Sequence, residues 1–328
     1  MKSIFPAHLK KGDEIRVIAP SRTLAIIAPS GIALAKKRLM EMGFSVSFGK
    51  NVYERDKFDS SSIESRIEDI HEAFRDPNVK GILTVVGGYN SNQLLDRVDY
   101  SLIKKNPKVL CGFSDITALQ NAIFTKTGLV TYSGPHFSTF GMEQGIEFYI
   151  EFFKKAVIDA VPYSIVPSAS WSDDVWFMNQ SKRKFIENKG MRTIFPGEAM
   201  GAIIGGNLCT FNLLQGTSFI PSLAGKVLFI EDDEDSKVGN FDRNLQSLIH
   251  QPGFEKVRAL IFGRFQKESN ISEETFNLII KNKLELKNIP IIADADFGHT
   301  QPIITFPIGG EVELTATRDS VSVRITKH

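Results

Sequence analysis

A serine hydroxyl becomes a useful nucleophile only when a nearby base takes its proton and fixed donors hold the developing oxyanion. Ser114 stands in Cys111-Gly-Phe-Ser-Asp115, between a β-branched stretch, Lys108 to Phe113, and helical composition from Ile116 to Phe124. A strand-to-helix turn exposes a hydroxyl beside the free N–H groups of a helix N-terminus. The pattern is not G-x-S-x-G, because Ile116 takes the place of the second glycine. The competing reading is that Ser114 or Asp115 merely caps the helix. A second turn, Gly87-Gly-Tyr-Asn-Ser91, follows the strand-like Lys80 to Val86. Paired glycines let backbone approach a ligand and offer N–H groups to an oxyanion. Neither G-x-G-x-x-G nor a phosphate-binding P-loop is present, and a plain tight turn is the alternative.

A base and an orienting acid must complete such a site. Of six histidines, His299 is the best placed, in the loop Asp296-Phe-Gly-His-Thr-Gln-Pro302 after the strand-like Pro290 to Ala293. His136, after Ser133-Gly-Pro, comes second. Glu231 opens a run of five acids ending at Asp235, directly after Val227 to Ile230. Three readings stand here: a carboxylate orienting a histidine, oxygen ligands for a divalent metal, or a solvated loop. Trp171 and Trp176 share one loop outside any periodic segment, which suits either a stacking wall for a planar ligand or packing between domains.

The surrounding elements must bring these distant residues together. The 328 residues suggest roughly two domains at ~150 residues each. Up to about Val157, strands (Glu14 to Ala19, Phe44 to Phe48, Lys80 to Val86, Lys108 to Phe113, Leu129 to Tyr132) alternate with helices. One helix opens with Ser61-Ser-Ile-Glu64, which has the form of a capping box. Alternation of this kind predicts an α/β protein with an N-terminal, doubly wound, mostly parallel sheet. Functional loops then lie beyond the carboxyl ends of the strands: Pro20-Ser21, Gly87 to Ser91, and Ser114-Asp115. The second half reads as a mixed α/β domain with a β-rich end. The expected division is residues 1–158, a linker with the tryptophan loop at 159–196, and residues 197–328.

Composition narrows the function. Lys and Arg number 39 against 38 Asp and Glu, a net charge of +1. That balance argues against a binder of nucleic-acid polymer or of acidic membrane surfaces. No apolar run approaches the ~20 residues of a membrane span, and Met1 to Arg16 lacks a signal-peptide core, so a cytoplasmic location is expected. Cys111 and Cys209 are isolated, and no HExxH or clustered Cys and His ligands are present, so neither metal nor cofactor is expected. A non-catalytic, two-lobed ligand-binding protein remains the rival from another class.

Taken in order, Val17-Ile-Ala-Pro-Ser21, Val86-Gly-Gly-Tyr-Asn-Ser-Asn92, Gly112-Phe-Ser-Asp-Ile-Thr117, Gly205-Gly-Asn-Leu208, Leu228-Phe-Ile-Glu231, Gly298-His299 and Pro307-Ile-Gly309 resemble the LD-carboxypeptidase family of serine peptidases, which includes the microcin C self-immunity proteins. The resemblance implies a triad of Ser114 as nucleophile, Glu231 as orienting carboxylate and His299 as base. It implies an oxyanion hole from the N–H groups of Asp115 and a glycine of the Gly87-Gly88 turn, with Gly88 assigned here. Substrate contacts are expected from Gly87, Tyr89, Asn90, Asn207 and Trp176. The murein branch cuts an L,D-peptide bond before a terminal D-Ala. The immunity branch cuts peptidyl or aminoacyl adenylate analogues, with Trp176 stacked on the base. The implied partners are therefore a small peptide or aminoacyl-nucleotide substrate, and a second copy in a homodimer. A terminal carboxylate calls for a cation in the cleft, with Arg243 and Arg264 as candidates.

Overall fold

The computed structural model describes residues 2–328. From the N-terminus run β1 (Glu14–Ile18), α1 (Pro29–Glu41), β2 (Ser45–Phe48), α2 (Ile63–Arg75), β3 (Val79–Thr84), α3 (Tyr100–Lys105), β4 (Val109–Gly112), α4 (Ile116–Thr127), β5 (Thr131–Ser133) and α5 (Glu147–Val157). There follow β6 (Tyr163–Ser164), β7 (Ser170–Trp171), β8 (Ile186–Glu187), β9 (Arg192–Phe195), β10 (Gly197–Asn207), α6 (Leu208–Asn212), β11 (Lys226–Glu231), α7 (Val238–Ile249), β12 (Ala259–Gly263), α8 (Glu273–Lys281) and β13 (Ile291–Ala295). The chain closes with β14 (Phe306–Ile308), β15 (Glu311–Ala316) and β16 (Val321–Lys327).

Two sheets carry the fold. The first has the order β14-β5-β4-β3-β1-β2, and all its pairs are parallel except β14 on β5. Its central strand β4 is wholly buried, as a parallel strand covered by helices on both faces must be. The second sheet has the order β6-β16-β15-β10-β11-β12-β13-β9. Strands β10 to β13 are parallel, and antiparallel strands flank them. In β15 and β16 buried residues alternate with more exposed ones, the pattern of antiparallel strands with one wet face. The α/β class, with a parallel-rich sheet first and a mixed, β-rich sheet second, is as expected.

Two features depart from a simple pair of lobes. The segment 159–196 was expected as a linker, yet β6 pairs with β16 and β9 with β13, so it closes both edges of the second sheet. Strand β14, from the C-terminal part, crosses back to pair with β5. The α2 start also shifts by one residue. Ser62, not Ser61, is the N-cap, its Oγ accepting from the Ser65 N–H at 3.0 Å. Serine at both 61 and 62 offers two capping registers, and the fold selects the one without Glu64 at the third position.

Candidate active site

The carboxyl ends of β1, β3 and β4 lie side by side, so their three loops meet. At the end of β4 the chain turns sharply into α4, and Ser114 takes a left-handed φ of 61°. A non-glycine residue there stores about 1–3 kcal/mol of strain, which its surroundings must hold. Those surroundings are visible. Asp115 does not cap α4 with its side chain. Its Oδ2 instead accepts from Ser21 Oγ at 2.6 Å, Asn90 N–H at 3.1 Å and Ser91 N–H at 2.9 Å. Ser91 Oγ donates in return to the Asp115 carbonyl at 2.6 Å. The buried Arg66 reaches the same loops from α2, donating to the carbonyls of Pro20 at 3.3 Å and Asn90 at 3.1 Å. The helix-cap reading of Asp115 is thereby corrected: its carboxylate staples the three loops together.

Glycines clear the space around Ser114. A Cβ on Gly87 would sit 3.0 Å from Ser114 Oγ, and one on Gly88 would collide with Ser21 Oγ. Among the described residues, the N–H groups of Gly87, Gly88 and Asp115 have no hydrogen-bond partner. Donors free in this way beside a serine are what an oxyanion needs.

The second sheet supplies the partners. Glu231 ends β11, and its side chain is 3% exposed. His299 lies in the loop between β13, in the second sheet, and β14, in the first. Its Nδ1 is 2.7 Å from Glu231 Oε2, and its Nε2 is 3.0 Å from Ser114 Oγ. Gly298, at φ 103°, lets the loop press against the acid, since a Cβ there would lie 2.7 Å from Glu231 Oε2. Burial pushes the His299 imidazolium toward losing its proton. The Glu231 charge and hydrogen bond outweigh that, with help from Asp233 and Asp232, and its pKa is pushed up to about 9.

The remaining expected residues fall in different places. Asp232 is buried rather than part of an exposed loop. Burial and the neighbouring Glu231 charge push it up to about 7, and its Oδ2 has no partner among the described residues. Asn207 is committed to neighbours: Oδ1 caps α6 through the Thr210 N–H at 3.0 Å, and Nδ2 donates to Asp232 at 3.3 Å. His136, the second candidate base, is buried, with Nδ1 2.7 Å from Thr84 Oγ1. Burial, then the charge of His299, pushes it down to about 3. Its ring centroid lies 4.4 Å from that of Phe113, which in turn lies 5.6 Å from His299. Tyr89 is 53% exposed beside the glycine turn, and Asn90 is buried in it.

The two tryptophans separate. Trp171 faces Arg264 and Lys267, whose charged groups lie 5.1 and 5.3 Å from its ring centroid. It helps line a cavity of about 580 Å³ that contains none of Ser114, Glu231 and His299. Trp176 is half-buried and packs near Phe177 at 6.0 Å. Their loop is bound to the histidine loop, because Ser172 and Gln301 exchange two backbone hydrogen bonds of 2.7 Å. Arg183 fastens the same junction, donating to Asp174 Oδ1 and Gln301 Oε1 at 2.7 Å.

Neither expected cation is free at the cleft. Arg264 is buried and pairs with Asp296 at 2.6 Å and Asn188 at 2.7 Å, and Arg243 bonds Asn240 on the exposed side of α7. Arg22, which follows Ser21 in the first loop, is exposed and was not among the expected cations. No group of three or more His, Cys, Asp and Glu side chains is arranged to hold a metal among the described residues. Among the described residues, no helix is long and apolar enough to cross a membrane.

Family models described as the LD-carboxypeptidase N-terminal and C-terminal domains match residues 15–134 and 200–314. The chain is 51% identical to the Bacillus subtilis protein named "Putative carboxypeptidase YocD", over 99% of this chain and 100% of that one. It is 30% identical to the microcin C7 self-immunity protein MccF of Escherichia coli, over 99% of this chain and 96% of MccF. A crystal structure of an MccF-like protein from Bacillus anthracis superposes with a TM-score of 0.98 at 52% identity, covering 99% of this chain and 100% of that one. MccF in complex with aspartyl sulfamoyl adenosine superposes with a TM-score of 0.89 at 29% identity, covering 99% of each chain.

Proposed function

The chain belongs to the LD-carboxypeptidase family, and on that premise we propose that it hydrolyses an L,D-peptide bond before a terminal D-Ala in murein peptides, through a Ser114–Glu231–His299 triad. The observation that carries this reading is the unbroken contact from Glu231 through His299 to Ser114, at 2.7 and 3.0 Å.

The chemistry follows from those contacts. In the neutral imidazole, Nδ1–H donates to Glu231 and Nε2 accepts from Ser114 Oγ. His299 takes the hydroxyl proton as Oγ attacks the carbonyl carbon, and Glu231 stabilises the imidazolium that forms. The N–H of Asp115 and that of Gly88 hold the oxyanion. Gly87 serves by lacking a side chain where one would meet Ser114 Oγ. The tetrahedral adduct collapses, the C–N bond breaks, and His299 gives its proton to the departing amine. Water then attacks the ester by the same route, releasing the acid and restoring Ser114. Glu231 is assigned from the acidic run because it alone contacts His299; Asp232 acts on the site through its charge.

A second reading has its own support. Trp176 sits in a loop bonded to the histidine loop, and the MccF structures hold aminoacyl sulfamoyl nucleotides. In that reading Trp176 stacks on the base of an aminoacyl-nucleotide analogue, and hydrolysis removes the aminoacyl group. The murein reading takes the protein as a cytoplasmic homodimer acting in peptidoglycan recycling; sedimentation and cell fractionation test those parts. Asn90, in the glycine turn, and Asn207, at the end of β10, are retained as proposed substrate neighbours by their position.

The deciding experiment compares wild type with Ser114→Ala on an L,D-linked murein tetrapeptide and on aspartyl sulfamoyl adenosine, with products read by mass spectrometry. Release of D-Ala that falls by at least ~10⁴-fold in the variant is expected, since loss of a triad member costs roughly that much or more. Serine-dependent release of sulfamoyl adenosine alone moves the assignment to the second reading. Turnover unaffected by the substitution refutes the triad.

A further inference from the structure

A carboxypeptidase must distinguish a free terminal carboxylate from a peptide that continues, and this takes a cation on the leaving-group side of the scissile bond. Most arginines at the edge of the site are already engaged. Arg66 donates to Pro20, Asn90 and Gln93, Arg183 to Asp174 and Gln301, and Arg264 to Asp296 and Asn188.

Arg22 differs. It is exposed, and among the described residues no carboxylate pairs with it. Its guanidinium carbon lies 5.9 Å from the centroid of the Tyr89 ring, so the group is held over an aromatic face while its N–H edges stay free. Its backbone N–H donates to the Gly87 carbonyl at 3.4 Å. Its Cγ lies 3.0 Å from where a Cβ on Gly88 would stand, and a Cβ on Gly87 would in turn lie 3.0 Å from Ser114 Oγ. Arg22 therefore packs from the first loop against the glycine turn, which in turn packs against Ser114. Asp115 holds the base of this arrangement through Ser21 Oγ, fixing where the Arg22 side chain begins.

We infer that Arg22, steadied by Tyr89, is the residue that recognises the terminal carboxylate of a peptide substrate through a paired guanidinium–carboxylate contact. This rests on the carboxypeptidase reading above and names the group that makes the activity exo rather than endo. Lys cannot reproduce the planar, two-pronged contact, so charge alone does not suffice.

The test uses the full chain carrying Ser114→Ala, so that binding is measured without turnover. The probes are an L,D-linked murein tetrapeptide ending in D-Ala and the same peptide with a C-terminal amide, titrated by calorimetry. The free acid is expected to bind about 10- to 100-fold tighter than the amide, the range for hydrogen bonds to a charged group. Adding Arg22→Gln should abolish that preference and leave amide binding unchanged. Arg22→Lys should restore it only in part, and Tyr89→Ala should weaken it without removing it. Equal binding of acid and amide to the Ser114→Ala protein overturns the inference, as does a preference that survives Arg22→Gln. Failure of the wild-type enzyme to release D-Ala would count against the proposed activity, whereas the acid-to-amide ratio judges Arg22 separately.

Discussion

Glu231 has two effects on His299, and they pull in opposite directions for catalysis. It fixes the ring with Nε2 toward Ser114, and it favours the imidazolium so strongly that the pKa rises to about 9. As the proposed general base, His299 works only when neutral, so kcat/KM should climb with pH through a midpoint near 9. Glu231→Gln removes the charge. The midpoint should then fall toward the ordinary value of about 6.5, while the plateau drops by up to ~10⁴-fold because the ring loses its orienting partner. A pH–rate profile of the two proteins checks both effects. Asp232 makes a gentler test. With a pKa near 7 it ionises before His299 loses its proton, adding negative charge that holds the imidazolium. Asp232→Asn should therefore move the His299 midpoint downward by less than Glu231→Gln does, with little loss at the plateau. A midpoint that rises or stays fixed would show that Asp232 does not act on His299.

At the scale of elements, the site is a set of strand ends held in register by one carboxylate. Asp115 Oδ2 gathers donors from the loops after β1 and β3 while its own backbone continues the loop after β4. Asp115→Ala should strand the N–H groups of Asn90 and Ser91 and leave Ser21 Oγ only its longer contact to Asn90 Oδ1 at 3.4 Å. Thermal melting should show a loss of about 3 kcal/mol, since charged hydrogen bonds contribute ~1.5–3 kcal/mol each and do not add fully. The kcat should fall and KM should rise together, because the loops carry the proposed oxyanion donors as well as Arg22. Gly298→Ala makes the matching test on the other sheet. It forces a side chain into left-handed backbone at φ 103° and toward Glu231 Oε2. A loss of at least ~10²-fold in kcat with the protein still folded is expected, as for small displacements of aligned catalytic groups.

Seen whole, the molecule places His299, the proposed base, on a strap between two sheets. The chain leaves β13 in the second sheet, passes through His299, and enters β14 in the first. Hydrogen bonds lock the sheets together on either side: Asn121 Nδ2 donates to the Gly205 carbonyl at 2.8 Å, and Tyr163 OH to the Thr305 carbonyl at 2.7 Å. The strap is anchored by Phe306, whose ring centroid lies 4.8 Å from that of Phe229 and 5.2 Å from that of Phe297. Phe306→Ala should cost about 3–5 kcal/mol of stability, measured by denaturant unfolding, and should lower kcat at temperatures where the protein remains folded. Full activity in the destabilised variant would mean that the strap does not position His299.

The residues of this site were legible in the sequence where chemistry is local. A serine between a strand and a helix, paired glycines after a buried strand, an acid at a strand end and a histidine in a Gly- and Pro-flanked loop are all short-range signals. Their order along the chain carried the family resemblance, and strand–helix alternation carried the parallel sheet. The tertiary structure decided what depends on side-chain direction across long separations. It turned Asp115 away from its own helix toward two other loops, and it buried Asp232 where a run of five acids suggested solvent. It committed Arg264 to Asp296 and left Arg22 free over Tyr89. It wove 159–196 into the second sheet, because the short strands there gain their partners only from residues far away in sequence. A residue's type fixes which bonds it can make, but which partner lies within 3 Å is set by how the two sheets pack, and that packing follows from the summed burial of the whole chain rather than from any one segment.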